Sequence, residues 1–265
     1  MPITEDQAAI LRLLSGNRSH SAYLAGGLIS ARDSDRFSSD IDYFHDSSDL
    51  ALVTFDVDRA CLEAAGYQVV APSPRAGFVR ADISKGGVHL KIDWAHEASW
   101  HFFQPHENPD VGFEVHWADA ATNKVLAMAS RAEVRDAFDV LHWHRNPLSL
   151  GALIWAASGK DLGLPPGLIL NELQRNARIS PIDIPLLHTV SPIDIEIFGK
   201  DFREATREAD LLIQQLPPET VGNLFLDAYG NIIEPDPKNE VSLSRPLASM
   251  RGGLVPTISN TPEPF

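Results

Sequence analysis

With one cysteine, Cys61, the chain has no internal disulfide, so nothing in it calls for an oxidising compartment. Long apolar runs are missing too, which argues against a bilayer-spanning helix. The opening MPITEDQAAILRLL has neither the basic flank nor the cleavage site of a secretory leader. A cytoplasmic protein with no membrane attachment is therefore expected. Basic clusters are scarce: 22 Lys and Arg against 36 Asp and Glu leave a net charge of −14. That balance speaks against an extended grip on a nucleic-acid backbone, which needs a basic surface. It leaves open an enzyme that touches one end of an RNA, a small molecule or a protein. Ten histidines are present, but no His-Glu-x-x-His occurs. His142 and His144, two apart on a predicted helix, point in different directions, which disfavours a zinc site.

What is present suffices for one large domain or two modest ones: 265 residues, 44% of them hydrophobic. Apolar spacing predicts a helix over 4–14, stopped at Ser15-Gly16-Asn17, and a buried strand over 21–25 that ends at Gly26-Gly27. Strand alternation follows over 39–44, then a helix over 57–65 and strands over 67–70, 77–83 and 88–94. Lys85-Gly86-Gly87 reads as the hairpin turn between the last two. The period then becomes helical over 120–143, with a break near Ser130, and again over 148–157, 168–178 and 201–216. Leu224 to Ile233 reads as a small hairpin ahead of a Pro/Ser/Gly-rich tail without fixed structure. The expected fold class is α+β, with a mixed-sheet head over 1–117 and a helical domain over 118–216. The hairpin and flexible tail occupy 217–265. The five tryptophans are spread along the chain, which suits packing better than a stacking platform.

Asp40-Ile41-Asp42 places two carboxylates on one side of an apolar strand. Such a pair suits Mg²⁺, a hard cation that takes oxygen ligands and organises phosphates for transfer. Gly26-Gly27 lies upstream at a strand end, where backbone amides approach a triphosphate without a Cβ in the way. Downstream, Val88 to Asp93 brings a third carboxylate, Asp93, to a second apolar strand. A metal–nucleotide site using Asp40, Asp42 and Asp93 explains the three features jointly.

These residues also carry a resemblance. Gly26-Gly27 followed by Arg36-Phe37-Ser38-Ser39-Asp40-Ile41-Asp42-Tyr43-Phe44 is similar to the signature of AbiEii-like nucleotidyltransferases, toxin-type members of the polymerase-β superfamily. A second match runs from Asn123-Lys124-Val125-Leu126-Ala127 through Arg131 and Arg135-Asp136 to Phe138-Asp139. Together they span about half of the chain. The resemblance implies a nucleotidyltransferase head and two Mg²⁺ ions on the aspartate pair. It also implies a nucleoside triphosphate substrate, with Gly26, Gly27, Ser38 and Lys124 at its phosphates. Asp136 becomes a further catalytic acid and Arg36 a support for the motif loop. For some relatives an RNA acceptor, tRNA in particular, and an antitoxin partner are implied. An aminoglycoside-type small-molecule acceptor, or a binding module without turnover, are the rival readings. Without the resemblance, Lys124 reads as a snorkelling lysine and Arg135-Asp136 as a surface ion pair.

Overall fold

The computed structural model describes residues 3–97, 101–177, 180, 182–184, 187–239 and 246–248. They divide into two compact units. The first holds described residues up to 97 together with 103–120; the second holds 101–102 and those from 121 onward.

In the first unit, helix α1 (Glu5–Leu14) begins at a capping box. The Thr4 hydroxyl accepts the Gln7 amide at 3.2 Å while the Gln7 side chain accepts the Thr4 amide at 3.0 Å. Strand β1 (Ala22–Ala25) leads through the glycine pair into a short helix α2 (Gly27–Ala31), then into β2 (Asp40–His45) and helix α3 (Ser48–Ala64). Strands β3 (Gln68–Val70), β4 (Phe78–Lys85), β5 (Val88–His96), β6 (His106–Asn108) and β7 (Gly112–Glu114) complete a mixed seven-stranded sheet, ordered β3-β4-β5-β2-β1-β7-β6. The β4–β5 turn is the expected Gly86-Gly87, both at positive φ. Strand β2 is central, antiparallel to β1 and parallel to β5.

Alternation divides the sheet into two unlike faces. Ile41, Tyr43 and His45 of β2, Ile92 and Trp94 of β5, and Val79, Ala81 and Ile83 of β4 are buried on one side. Helix α3 packs there, with Phe55 edge-on to Trp94 at 5.1 Å. The opposite face carries Asp40, Asp42, Lys91, Asp93, Arg80 and Asp82. The helix predicted from 57 starts earlier, at Ser48, because the Ser47 hydroxyl accepts the Leu50 amide at 3.2 Å and caps it. Its buried stripe, Ala51, Phe55, Asp58 and Leu62, contains a carboxylate, which disguises the apolar period. Strands β6 and β7 escape the pattern because three residues are too few to alternate legibly.

Both oxygens of the buried Asp58 carboxylate are met by donors. Arg18 engages both of its oxygens, with neither side chain exposed. Trp94 donates Nε1–H to Oδ2 at 2.7 Å, and Asn17 donates to Oδ1 at 2.8 Å. The Arg18 guanidinium also lies 3.8 Å from the centre of the Tyr43 ring. Removing one partner strands a buried charge, so Asp58→Ala should lower unfolding free energy by about 3–5 kcal/mol in urea denaturation.

His45, at the end of β2, is buried, and burial pushes its imidazole down to about 4, against the weaker effect of the Ala95 carbonyl at 3.3 Å. Its folded value lies below the unfolded 6.5, so the unfolded chain binds the extra proton. Stability is therefore full above pH 6.5 and falls as pH drops towards 4. His45→Leu should flatten that fall, worth up to about 3 kcal/mol, in denaturation curves taken across this window.

In the second unit, helix α4 (Trp117–Ser130), which starts in the first, is followed by α5 (Val134–Arg145), α6 (Leu150–Ala157), α7 (Pro166–Asn176) and α8 (Ile195–Ile213). The break near Ser130 is where the sequence puts it. Helix α6 is buried all round, against α5, α7 and α8. Trp155, Leu216 and Phe225 form a smaller core beneath β8 (Asn223–Leu226), which pairs with β9 (Ile232–Ile233) as the expected hairpin. A further strand, β10 (Pro246–Ala248), pairs with β8 inside the stretch expected to lack structure; 240–245 and 249–265 of that tail lie outside the described residues. Among the described residues no helix is long and apolar enough to cross a membrane.

Candidate active site

The open face of β2 gathers most of the residues singled out in the first half of the chain. Asp40 and Asp42 stand two apart, both partly exposed, while Ile41 and Tyr43 fix the strand from behind. Asp42 is in register with Ala25 on one side and Asp93 on the other. The chain leaves β1 through Gly26 at φ 68° and ψ −147°, a conformation that side chains exclude. A Cβ on Gly26 would lie 1.9 Å from Asp42 Oδ2, so the missing side chain is what admits that carboxylate. The Gly27 amide then donates to the same oxygen at 3.3 Å.

Ser38 is buried, its hydroxyl donating to the Asp40 carbonyl at 3.4 Å. A Cβ on Gly27 would come within 2.4 Å of that hydroxyl and 3.3 Å of Arg36 Nη2. The glycine pair, Ser38 and Arg36 thus form one tight junction. Arg36 donates to the Phe37 carbonyl at 2.9 Å and is buried, so it braces the loop before β2. Two supports went unread in the sequence. Gln7 donates to the Ser38 carbonyl at 2.7 Å from α1, and Arg32, just after α2, pairs with Glu114 of β7. Burial raises the Glu114 carboxyl, but Arg32 and His106 more than offset this and hold it down at about 2.

Asp93 lies where the sequence places it, on the strand beside Asp42. Both its oxygens are taken by Arg80 of β4, Nε at 2.8 Å and Nη2 at 2.5 Å. The guanidinium is raised further above its usual range by this pair, and by Asp40 and Asp42 nearby. Instead of three converging carboxylates, the face has a pair of them beside an Arg–Asp ion pair. Among the described residues no three His, Cys, Asp or Glu side chains are grouped to hold a metal ion. The Asp40–Asp42 pair, all oxygen, with Asp42 seated against the turn at Gly26, still suits a hard cation such as Mg²⁺, which keeps several waters.

Lys124, Asp136 and their neighbours belong to the second unit. Lys124 Nζ lies 3.0 Å from Asp136 and 3.0 Å from Asp139, both carboxylates without exposure. Arg131 closes on Asp136 at 2.7 Å. Burial alone would raise the Asp136 carboxyl; hydrogen bonds and charge from Arg131 and Lys124 outweigh it and hold the group below its ordinary value. Asp136 is thus part of a buried network, not of a surface pair with Arg135. Asp139, three residues on along α5, completes the network and was legible only as part of the motif. The adjacent Asn123 accepts from the buried Lys160 at 2.7 Å.

No protein-family model and no curated protein sequence matches the chain. Solved structures do. MenT4, a nucleotidyltransferase toxin from Mycobacterium tuberculosis, superposes with a TM-score of 0.57 at 15% identity, over 81% of this chain and 83% of that one. JHP933 from Helicobacter pylori gives 0.53 at 16% identity, over 80% and 95%. Another Helicobacter pylori structure, described only provisionally as a nucleotidyltransferase, gives 0.52 at 15%, over 81% and 99%.

Because the Gly26 conformation excludes a side chain, Gly26→Ala should cost roughly 1–3 kcal/mol of stability in chemical denaturation. The new methyl should also displace the Asp42 carboxylate, so a Mn²⁺ titration should show weaker divalent-cation binding than wild type. The chain has the nucleotidyltransferase fold, the one that its resemblance to AbiEii-like enzymes implies.

Proposed function

We propose that this chain is a metal-dependent nucleotidyltransferase that moves a nucleoside monophosphate from a nucleoside triphosphate to a hydroxyl acceptor, releasing pyrophosphate. One observation carries the reading: in a nucleotidyltransferase fold, Asp40 and Asp42 occupy the open face of the central strand beside a side-chain-free turn. When bound there, Mg²⁺ would neutralise the phosphate oxygens and hold the acceptor oxygen in line.

The chain's own residues would do the rest by positioning. Asp40 and Asp42 would hold the cation, kept at fixed spacing by the strand and by the Gly27 amide. Gly26, without a side chain, lets the Asp42 carboxylate lie against the turn and so fixes its place in the pair. Ser38 and Arg36 would keep the junction rigid, and a rigid site suffers little reorganisation as charge develops. Lys124 would contribute a positive charge to the triphosphate, where an ammonium suits the role, with Asp136 and Asp139 orienting it. Asp136, held ionised by Lys124 and Arg131, is better suited to orienting them than to taking a proton. The acceptor we propose is an RNA end, in the manner of a toxin with an antitoxin partner, since a terminal contact needs no basic surface.

The test offers each α-labelled nucleoside triphosphate with Mg²⁺, total RNA and a small-molecule pool in separate reactions. Label should pass to RNA, and Asp42→Asn should reduce transfer on the order of a thousandfold, the scale of losing metal stabilisation at the phosphates. Label in the small-molecule pool would replace RNA by an aminoglycoside-type acceptor. Bound nucleotide without transfer to anything would reduce the chain to a binding module.

A further inference from the structure

The Arg80–Asp93 pair is a strongly charged feature of the open face that the reading above does not use. Its two members are in register on adjacent strands, β4 and β5, and Asp93 is in register with Asp42 on β2. All three side chains therefore line the same face. Asp93 is nearly enclosed, with 10% of its side chain exposed, whereas Arg80 keeps 55%. The pair is a fork: Nε and Nη2 meet the two carboxylate oxygens and leave Nη1 outside the contact. A metal bound by Asp93 would sit beside a guanidinium already paired with the same carboxylate, and would be repelled by it. An anion approaching the face would meet a cation whose orientation is already set.

We propose that Arg80 binds the phosphates of the nucleotide and that Asp93 is its positioning residue, not a ligand of the metal. This rests on the nucleotidyltransferase reading and deepens it. Arginine suits the task because its planar fork can hold a carboxylate on one edge while offering the other to a phosphate. Lys91, in register with Asp40 and Asp82 on the same face, is exposed and forms no ion pair with either. Asp93 thus fixes where a phosphate contact would fall, at a register position beside the proposed metal pair.

Two binding measurements separate the roles without depending on turnover. Mn²⁺ binding is followed by electron paramagnetic resonance, and binding of a non-hydrolysable nucleoside triphosphate analogue by calorimetry. Wild type, Asp42→Asn, Arg80→Gln, Asp93→Asn and the Arg80→Gln/Asp93→Asn double variant are compared. Asp93→Asn should leave Mn²⁺ affinity within about twofold of wild type, while Asp42→Asn abolishes it. Arg80→Gln and Asp93→Asn should each weaken the analogue about ten- to a hundredfold, with the double variant no worse than Arg80→Gln alone. A loss of Mn²⁺ affinity in Asp93→Asn comparable to that in Asp42→Asn would overturn the assignment and make Asp93 a ligand. Unchanged analogue binding in Arg80→Gln would overturn it equally. That variant sits at a half-exposed position, so it decides the matter even if Asp93→Asn loosens the fold. Wild-type protein that binds neither Mn²⁺ nor the analogue would instead bring down the nucleotidyltransferase reading itself.

Discussion

The buried ion pair between Arg18 and Asp58 fixes the first unit from behind. A carboxylate with no exposure is tolerable only when its charge and lone pairs are all met, and here Arg18, Trp94 and Asn17 meet them. The consequence reaches the opposite side of the sheet. Trp94 is the residue after Asp93, and Tyr43, under the Arg18 guanidinium, is the residue after Asp42. Because neighbours on a strand face opposite ways, locking Tyr43 and Trp94 behind the sheet locks Asp42 and Asp93 in front of it. The precision that phosphate chemistry requires would thus be set by a polar network that never touches the site.

The same alternation explains why the front face could be read from the sequence and its supports could not. Asp40-Ile41-Asp42 and Leu90 to Trp94 announce their two faces by composition alone. The glycine pair is equally legible, because few residues tolerate the turn that Gly26 makes. Arg80 is different. Its alternation within 78–83 places it on the polar face, but its partner depends on the β4–β5 register, which no local pattern states. Gln7 and Asp58 are hidden for the opposite reason: polar residues on helices read as solvated, yet both are buried, Gln7 against the loop before β2 and Asp58 against the sheet. The helix now known to start at Ser48 was shortened by nine residues for want of recognising Asp58 as interior.

In the second unit the motif residues were legible only through resemblance. Lys124 among apolar neighbours looks like any lysine lying along a helix, and the spacing of Asp136 and Asp139 fits a solvated face as well as a buried one. The structure decides for burial: a lysine held by two enclosed carboxylates, one of them shared with Arg131. Such a network is costly to dismantle, because removing any member leaves a charge without its counter-charge in a low dielectric.

A chain of net charge −14 has an electrostatic problem if its substrate is a polyanion. Long-range attraction does not help it, so cations must act at contact distance, where screening is weak. Both units hold a cation in the way this demands, Arg80 by Asp93 and Lys124 by Asp136 and Asp139. Each carboxylate reduces the net charge its cation shows at a distance while fixing the cation's direction nearby. Discrimination then depends on geometry more than on bulk charge, and a bound divalent ion at Asp40 and Asp42 would add the positive charge that the chain itself lacks. An acidic nucleotidyltransferase built this way would bind nucleic acid at large weakly and would reserve its charge for a phosphate group that fits.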